Sequence, residues 1–289
     1  MSLAQTSPVE VALTSVLAAS GAALVLLGAA ARPWRGRAHP TAAWGAPLAL
    51  GLAFAAAFLC SRTPPPLVPQ RSEQWLFHLA LAAAGYGLYE AVGGRRSALT
   101  RALFAVLVPV VLLEFQRKGH WGRTEGVLWT GGLAALLFVS WQAGAARESA
   151  AKSGAGALGL ALATALAAAT YGKAGATLYA LLPGALALAT GAAALLGLWR
   201  GAPGLGPAGL APFATLYFAT LWLARFLYEL GTPSFALLSL VPLATSAAAL
   251  VPATRPNLRA LASVLGPLLP AALALGIELA SAPPASPYG

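Results

Sequence analysis

Apolar residues run along this chain in blocks of about 17 to 25 positions, the length a helix needs to cross a bilayer. Between the blocks lie short stretches carrying proline, arginine or other polar residues, and the pattern predicts ten spanning helices. They cover residues 9–31, 41–60, 75–93, 98–116, 126–146, 155–171, 175–199, 208–230, 234–252 and 257–279. The sixth is short and alanine-rich. Segments 32–40 and 61–74 read as loops, and the proline run in the second cannot continue a helix. The tail SAPPASPYG reads as disordered. The first block lacks a basic stretch before it, and its arginines follow instead, so it reads as a retained helix rather than a cleaved signal. The expected fold is all-α: a polytopic integral membrane protein of about ten transmembrane helices.

Composition agrees and narrows the chemistry. Of 289 residues, 58% are hydrophobic and 9% charged, with mean hydropathy +0.74; soluble domains carry roughly 25% charged residues. All eight acids are glutamate and the one asparagine is Asn257, which excludes paired-aspartate metal sites, aspartyl-phosphate intermediates and aspartate-based triads. The single cysteine, Cys60, excludes an intramolecular disulfide and any CxxC metal site. No metal site and no cofactor are expected. A net charge of +10 points to membrane loops rather than to nucleic acid, because cations gather in cytoplasmic loops. Loops after odd-numbered spans hold eleven cations and those after even-numbered spans six, so both termini are expected outside. That leaves the basic loop Gln116–Gly126, with Arg117, Lys118 and Arg123, on the outer face.

Ionisable groups within spans are costly and each is a candidate for function. In the eighth span Arg225 lies about one turn from the outer end, with Trp222 at i−3 and Glu229 at i+4 on the same face, so Arg225 and Glu229 are expected to pair. Glu114 has Arg117 and Lys118 at i+3 and i+4. Tyr86, Tyr89 and Glu90 approach Arg95 and Arg96 and read as an interfacial belt with a counter-charged end. His78 reads as a hydrogen-bonded histidine and His39 as a loop residue. Haem held by two histidines needs both at matching depth in helices, and the pattern does not supply them.

Several segments are similar in order to those of a known family. Leu128-Trp129-Thr130-Gly131-Gly132-Leu133-Ala134 resembles an S-x-H-G-G-L-I-G segment opening a helix. Thr170-Tyr171-Gly172-Lys173 resembles the close of an N-G-E-L-Y-G segment, and Thr177-Leu178-Tyr179 a P-S-Q-L-Y-E opening. Tyr217 followed by Ala224-Arg225-Phe226-Leu227-Tyr228-Glu229 is similar to G-Y-x-x-F-R-F-x-x-E-F, with Leu238-Ser239-Leu240-Val241-Pro242 after it. In these segments the chain resembles the bacterial prolipoprotein diacylglyceryl transferases. The resemblance implies a seven-helix transferase-like domain over 75–252, two additional helices and their loops over 1–74, and an extra helix with a disordered tail over 253–289. The chain departs from that family at its motif histidine, which is Thr130, at 161–170, which holds no arginine or asparagine, and at Ala180 in place of the L-Y-E glutamate.

By that resemblance, Arg225, Glu229, Tyr179, Gly131, Gly132 and Thr130 form a lipid-binding site, with phosphatidylglycerol as the lipid. Helices one, two and ten would lie at the periphery. His120, just before the Gly-Gly helix, is the one stand-in for the missing histidine and hence the catalytic candidate. Three functions follow. The first is transfer of diacylglycerol from phosphatidylglycerol to the lipobox cysteine of a lipoprotein precursor. The second is a non-catalytic lipid- or lipoprotein-binding membrane protein or complex subunit. The third is a small-solute transporter, against which stands the lack of similarity between residues 1–140 and 141–289. The expected location is a bacterial inner membrane.

Overall fold

The computed structural model describes residues 42–62, 64–92, 98–150, 154–200, 204–252 and 254–281. The first expected span and the C-terminal tail lie outside the described residues, as do His39, Arg95 and Arg96. Among the described residues every regular element is helical. In order they are α1 (Ala42–Ser61), a 3-10 turn (Ser72–Gln74), α2 (Trp75–Ala91), α3 (Ala98–Leu112) and α4 (Glu114–Gly119). Then come α5 (Arg123–Ala150), α6 (Ala155–Lys173), α7 (Thr177–Arg200), α8 (Gly206–Leu227), α9 (Thr232–Ala244), a second 3-10 turn (Thr245–Leu250) and α10 (Pro256–Ser281). Six of these (α1, α5, α6, α7, α8 and α10) are long and apolar enough to cross a membrane, the signature of a multi-pass membrane protein. Helices α3 and α9 are apolar but shorter.

The centre of the bundle is α8, along which every residue from Ala208 to Ala224 is buried. It packs against α1, α2, α5 and α7. Helix α1 is a core helix as well, with Leu50, Phe54 and Phe58 buried. This corrects the expectation that the second span is a peripheral addition. What lets α1 in is its small residues: a Cβ on Gly51 would come within 2.4 Å of Ala84 Cβ on α2. Backbones can approach that closely only where side chains are absent or tiny. Helix α10 is peripheral as expected, with 17% of its apolar window buried, and it packs on α6 and α9.

Two expected spans are divided. The fourth ends at Leu112, where Leu113 leaves helical geometry at φ −104°, ψ 16°, and α4 starts anew at Glu114. Pro109 lies one turn before the break, and its missing N–H weakens the ladder there. The ninth gives way after Ala244 to the 3-10 turn. Helix α5, by contrast, begins three residues earlier than expected, at Arg123.

Candidate functional site: a basic cavity beside the α5 N-terminus

The break after Leu112 determines the site. Because α4 is a separate short helix, its basic residues turn toward the start of α5 instead of continuing the line of α3. Gln116 fixes this: its carbonyl accepts from both His120 N and Trp121 N, and its Nε2 donates to Phe226 O on α8 at 3.2 Å. Trp121 then stacks on Trp129 and meets Phe226 edge-on at 5.0 Å. Between α3, α4 and α5 this leaves a cavity of about 620 Å³. Arg117, Lys118 and Arg123 give it charge; Val110, Val127 and Gly131 give it an apolar wall; Thr130, Trp121, Gly122 and Gly126 complete the lining. The Thr130 hydroxyl oxygen is shielded from solvent and has no hydrogen-bond partner among the described residues. Arg117's aliphatic stem crosses the first turn of α5, 3.5 Å from where a Cβ on Gly126 would sit.

Of the three cations, Lys118 is engaged. Its Nζ donates to Glu114 Oε1 at 2.6 Å, the expected i+4 pair, and this hydrogen bond holds the Glu114 carboxyl below its ordinary pKa. Arg117 and Arg123 enter no ion pair among the described residues. The cavity can therefore take an anion with an apolar portion.

The structure gathers the expected site residues only in part. Thr130 and Gly131 line the cavity. Gly132 does not: it is exposed, with open space where a side chain would point. His120 is exposed next to Trp121 but outside the lining. Arg225 and Glu229 do not pair. Helix α8 ends at Leu227 and Glu229 takes φ +56°, so the i+4 register on which the pair depends is lost. Arg225 Nη1 donates instead to the Leu230 carbonyl at 2.7 Å, closing the turn that follows the helix.

Tyr179 belongs to a different cluster. Its buried hydroxyl donates to Glu73 Oε2 at 2.9 Å and accepts from Arg62 Nη2 at 3.3 Å, while Arg62 also binds Glu73. The Arg62 guanidinium lies 5.3 Å from the Tyr179 ring centre, and the Tyr228 ring lies 4.6 Å from that of Tyr179. This cluster ties the proline-rich loop to α7 and α8. At the opposite end of the bundle, Glu90 is buried and paired bidentately with Arg101, at 2.7 and 3.1 Å, and Arg101 also donates to Gln142 at 2.6 Å. Glu90 is thus a partner of Arg101 rather than an interfacial end charge. His78 Nδ1 is hydrogen-bonded to Gln74 O, as expected. Sequence reasoning missed both ion-pair clusters. Their signal was opposite charges flanking the two sides of one interhelical loop, Arg62 and Glu73 in one case and Glu90 and Arg101 in the other.

No protein-family model, curated protein or solved structure matches the chain. What the site can do rests on its own geometry.

Proposed function

We propose that this chain is a ten-helix protein of a bacterial inner membrane, with both termini and the basic cavity on the outer face. There it holds the headgroup of an anionic phospholipid without transforming it. The observation that carries this reading is the meeting, in one cavity, of an apolar wall with two guanidinium groups that enter no ion pair among the described residues. Guanidinium forks suit phosphate oxygens, and the valines suit acyl chains. The cavity's volume is that of an ordinary ligand pocket. Diacylglyceryl transfer to a thiol is the weaker reading, because the lining contains no carboxylate or imidazole to serve as a general base.

The experiment is quantitative extraction of phospholipid from purified protein. Loss of a hydrogen bond to a charged group costs about 1.5–3 kcal/mol, or roughly ten- to a hundredfold in affinity. The double variant Arg117→Ala/Arg123→Ala should therefore lose its anionic lipid, and Arg225→Ala should keep it. Retention by the double variant, or loss from Arg225→Ala alone, would refute the reading.

A further inference from the structure

The charges around the cavity say which phosphate it suits. We infer that the cavity is built for a phosphomonoester dianion carried on a membrane lipid, in preference to the monoanionic diester; this rests on the lipid-binding reading above. Glu114 pairs with Lys118 and also acts on Arg117, so Arg117, Lys118, Arg123 and Glu114 together leave a net charge of +2 at the cavity. Glu125, on the first turn of α5, is exposed and outside the lining. Gly122 and Arg123 place the N-terminus of α5 against the cavity, and the first backbone bond of that helix is Gly126 N to Gly122 O. The amides of Arg123, Thr124 and Glu125 precede that bond, and a helix N-terminus adds a partial positive charge of about half a unit.

A phosphomonoester carries about −1.5 to −2 charge at neutral pH and three terminal oxygens. It can engage both arginines and still accept from the α5 amides. A diester has one charge and two free oxygens, so one guanidinium stays uncompensated. The carrier is a lipid because the apolar wall continues from the cavity along α3 and α5 toward the middle of the bundle. Leu103, Leu107 and Val110 lie on one stripe of α3, the two leucines exposed, and Val127 and Gly131 lie on one stripe of α5.

The test reconstitutes the full chain in phosphatidylcholine nanodiscs containing equimolar phosphatidic acid and phosphatidylglycerol. Native mass spectrometry after mild detergent release then counts the retained lipids. Phosphatidic acid should be kept over phosphatidylglycerol by about tenfold or more, the worth of one further charge-assisted contact. Arg117→Gln and Arg123→Gln should each bring the two lipids to parity, and Arg71→Gln, at an exposed cation of the same end outside the lining, should preserve the preference. Excess glycerol 3-phosphate should fail to displace the lipid; displacement would reassign the site to a soluble phosphate ester and overturn the lipid part of the inference. Parity in the wild type, with retention that still depends on the arginines, would overturn the dianion preference and leave the lipid-binding reading standing. Arginine-independent retention of both lipids would overturn the two together. Monodisperse elution and an unchanged unfolding midpoint show that each variant is folded, as expected for exposed side chains.

Discussion

Single side chains differ sharply in what they hold up. Glu90 and Arg101 are both buried, and their pairing is bidentate. Removing one partner of such a pair leaves an uncompensated charge at a cost of about 3–5 kcal/mol. Arg101→Ala should therefore lower stability in detergent by about that amount, while Arg101→Met with Glu90→Leu should recover most of it, as read from denaturant midpoints. A non-additive cycle would establish the pair, and additive losses would argue against it. Glu229 makes the opposite case. It is exposed and holds φ +56°, a conformation that costs a non-glycine residue roughly 1–2 kcal/mol. Glu229→Gly should raise stability by up to about 1 kcal/mol once glycine's own entropy is counted, and it should leave lipid content unchanged. The expected Arg225–Glu229 pair failed for a related reason: the sequence places them four apart, but that spacing means contact only while the helix continues, and α8 stops at Leu227.

For whole elements, hydropathy located the helices and could not rank them. Helices α1 and α10 are both long and apolar enough to cross a membrane, yet α1 lies in the core and α10 at the rim. In a bilayer, lipid and protein interior demand the same residues, so inward and outward faces carry no contrasting pattern. The information lies in small residues, and only where they meet a neighbour. A Cβ on Gly159 of α6 would come within 2.5 Å of Ser263 O on α10, whereas Gly131 and Gly132 on α5 face open space. Gly159→Val should therefore loosen α10 and cost about 1–3 kcal/mol as an overpacked contact. Gly132→Val should stay within about 0.5 kcal/mol, the range of a surface change. Thermal unfolding of the two variants side by side checks this; equal losses would mean that α10 is not seated on α6 as described. The basic cavity was legible only as a run of cations near a Gly-Gly helix. What hid its geometry was the break at Leu113, which divides one apolar segment into a 15-residue helix and a separate short one carrying the charges.

The whole molecule sorts its chemistry by end. The C-termini of α1, α3, α6, α8 and α10 share one end with the N-termini of α2, α5, α7 and α9, and that end carries the cavity and the Arg62–Glu73–Tyr179 cluster. The other end carries the Glu90–Arg101 pair, and there Glu148 accepts from Gly206 N at the start of α8. The proposal that the cavity end lies outside rests on the loop cations, eleven against six, and the cavity's own three count against that majority. Those three have a local reason to be there, since Lys118 is neutralised by Glu114 and the arginines face a ligand cavity. The remaining bias should then decide the orientation. With the lone cysteine removed as Cys60→Ala, single cysteines at Thr124 and Thr254 sample opposite ends at exposed positions. A membrane-impermeant maleimide should label Thr124→Cys in intact cells and reach Thr254→Cys only after permeabilisation. The reverse pattern would place the cavity against the cytoplasmic leaflet, overturning the orientation while leaving the arginine-dependent lipid retention to be judged separately.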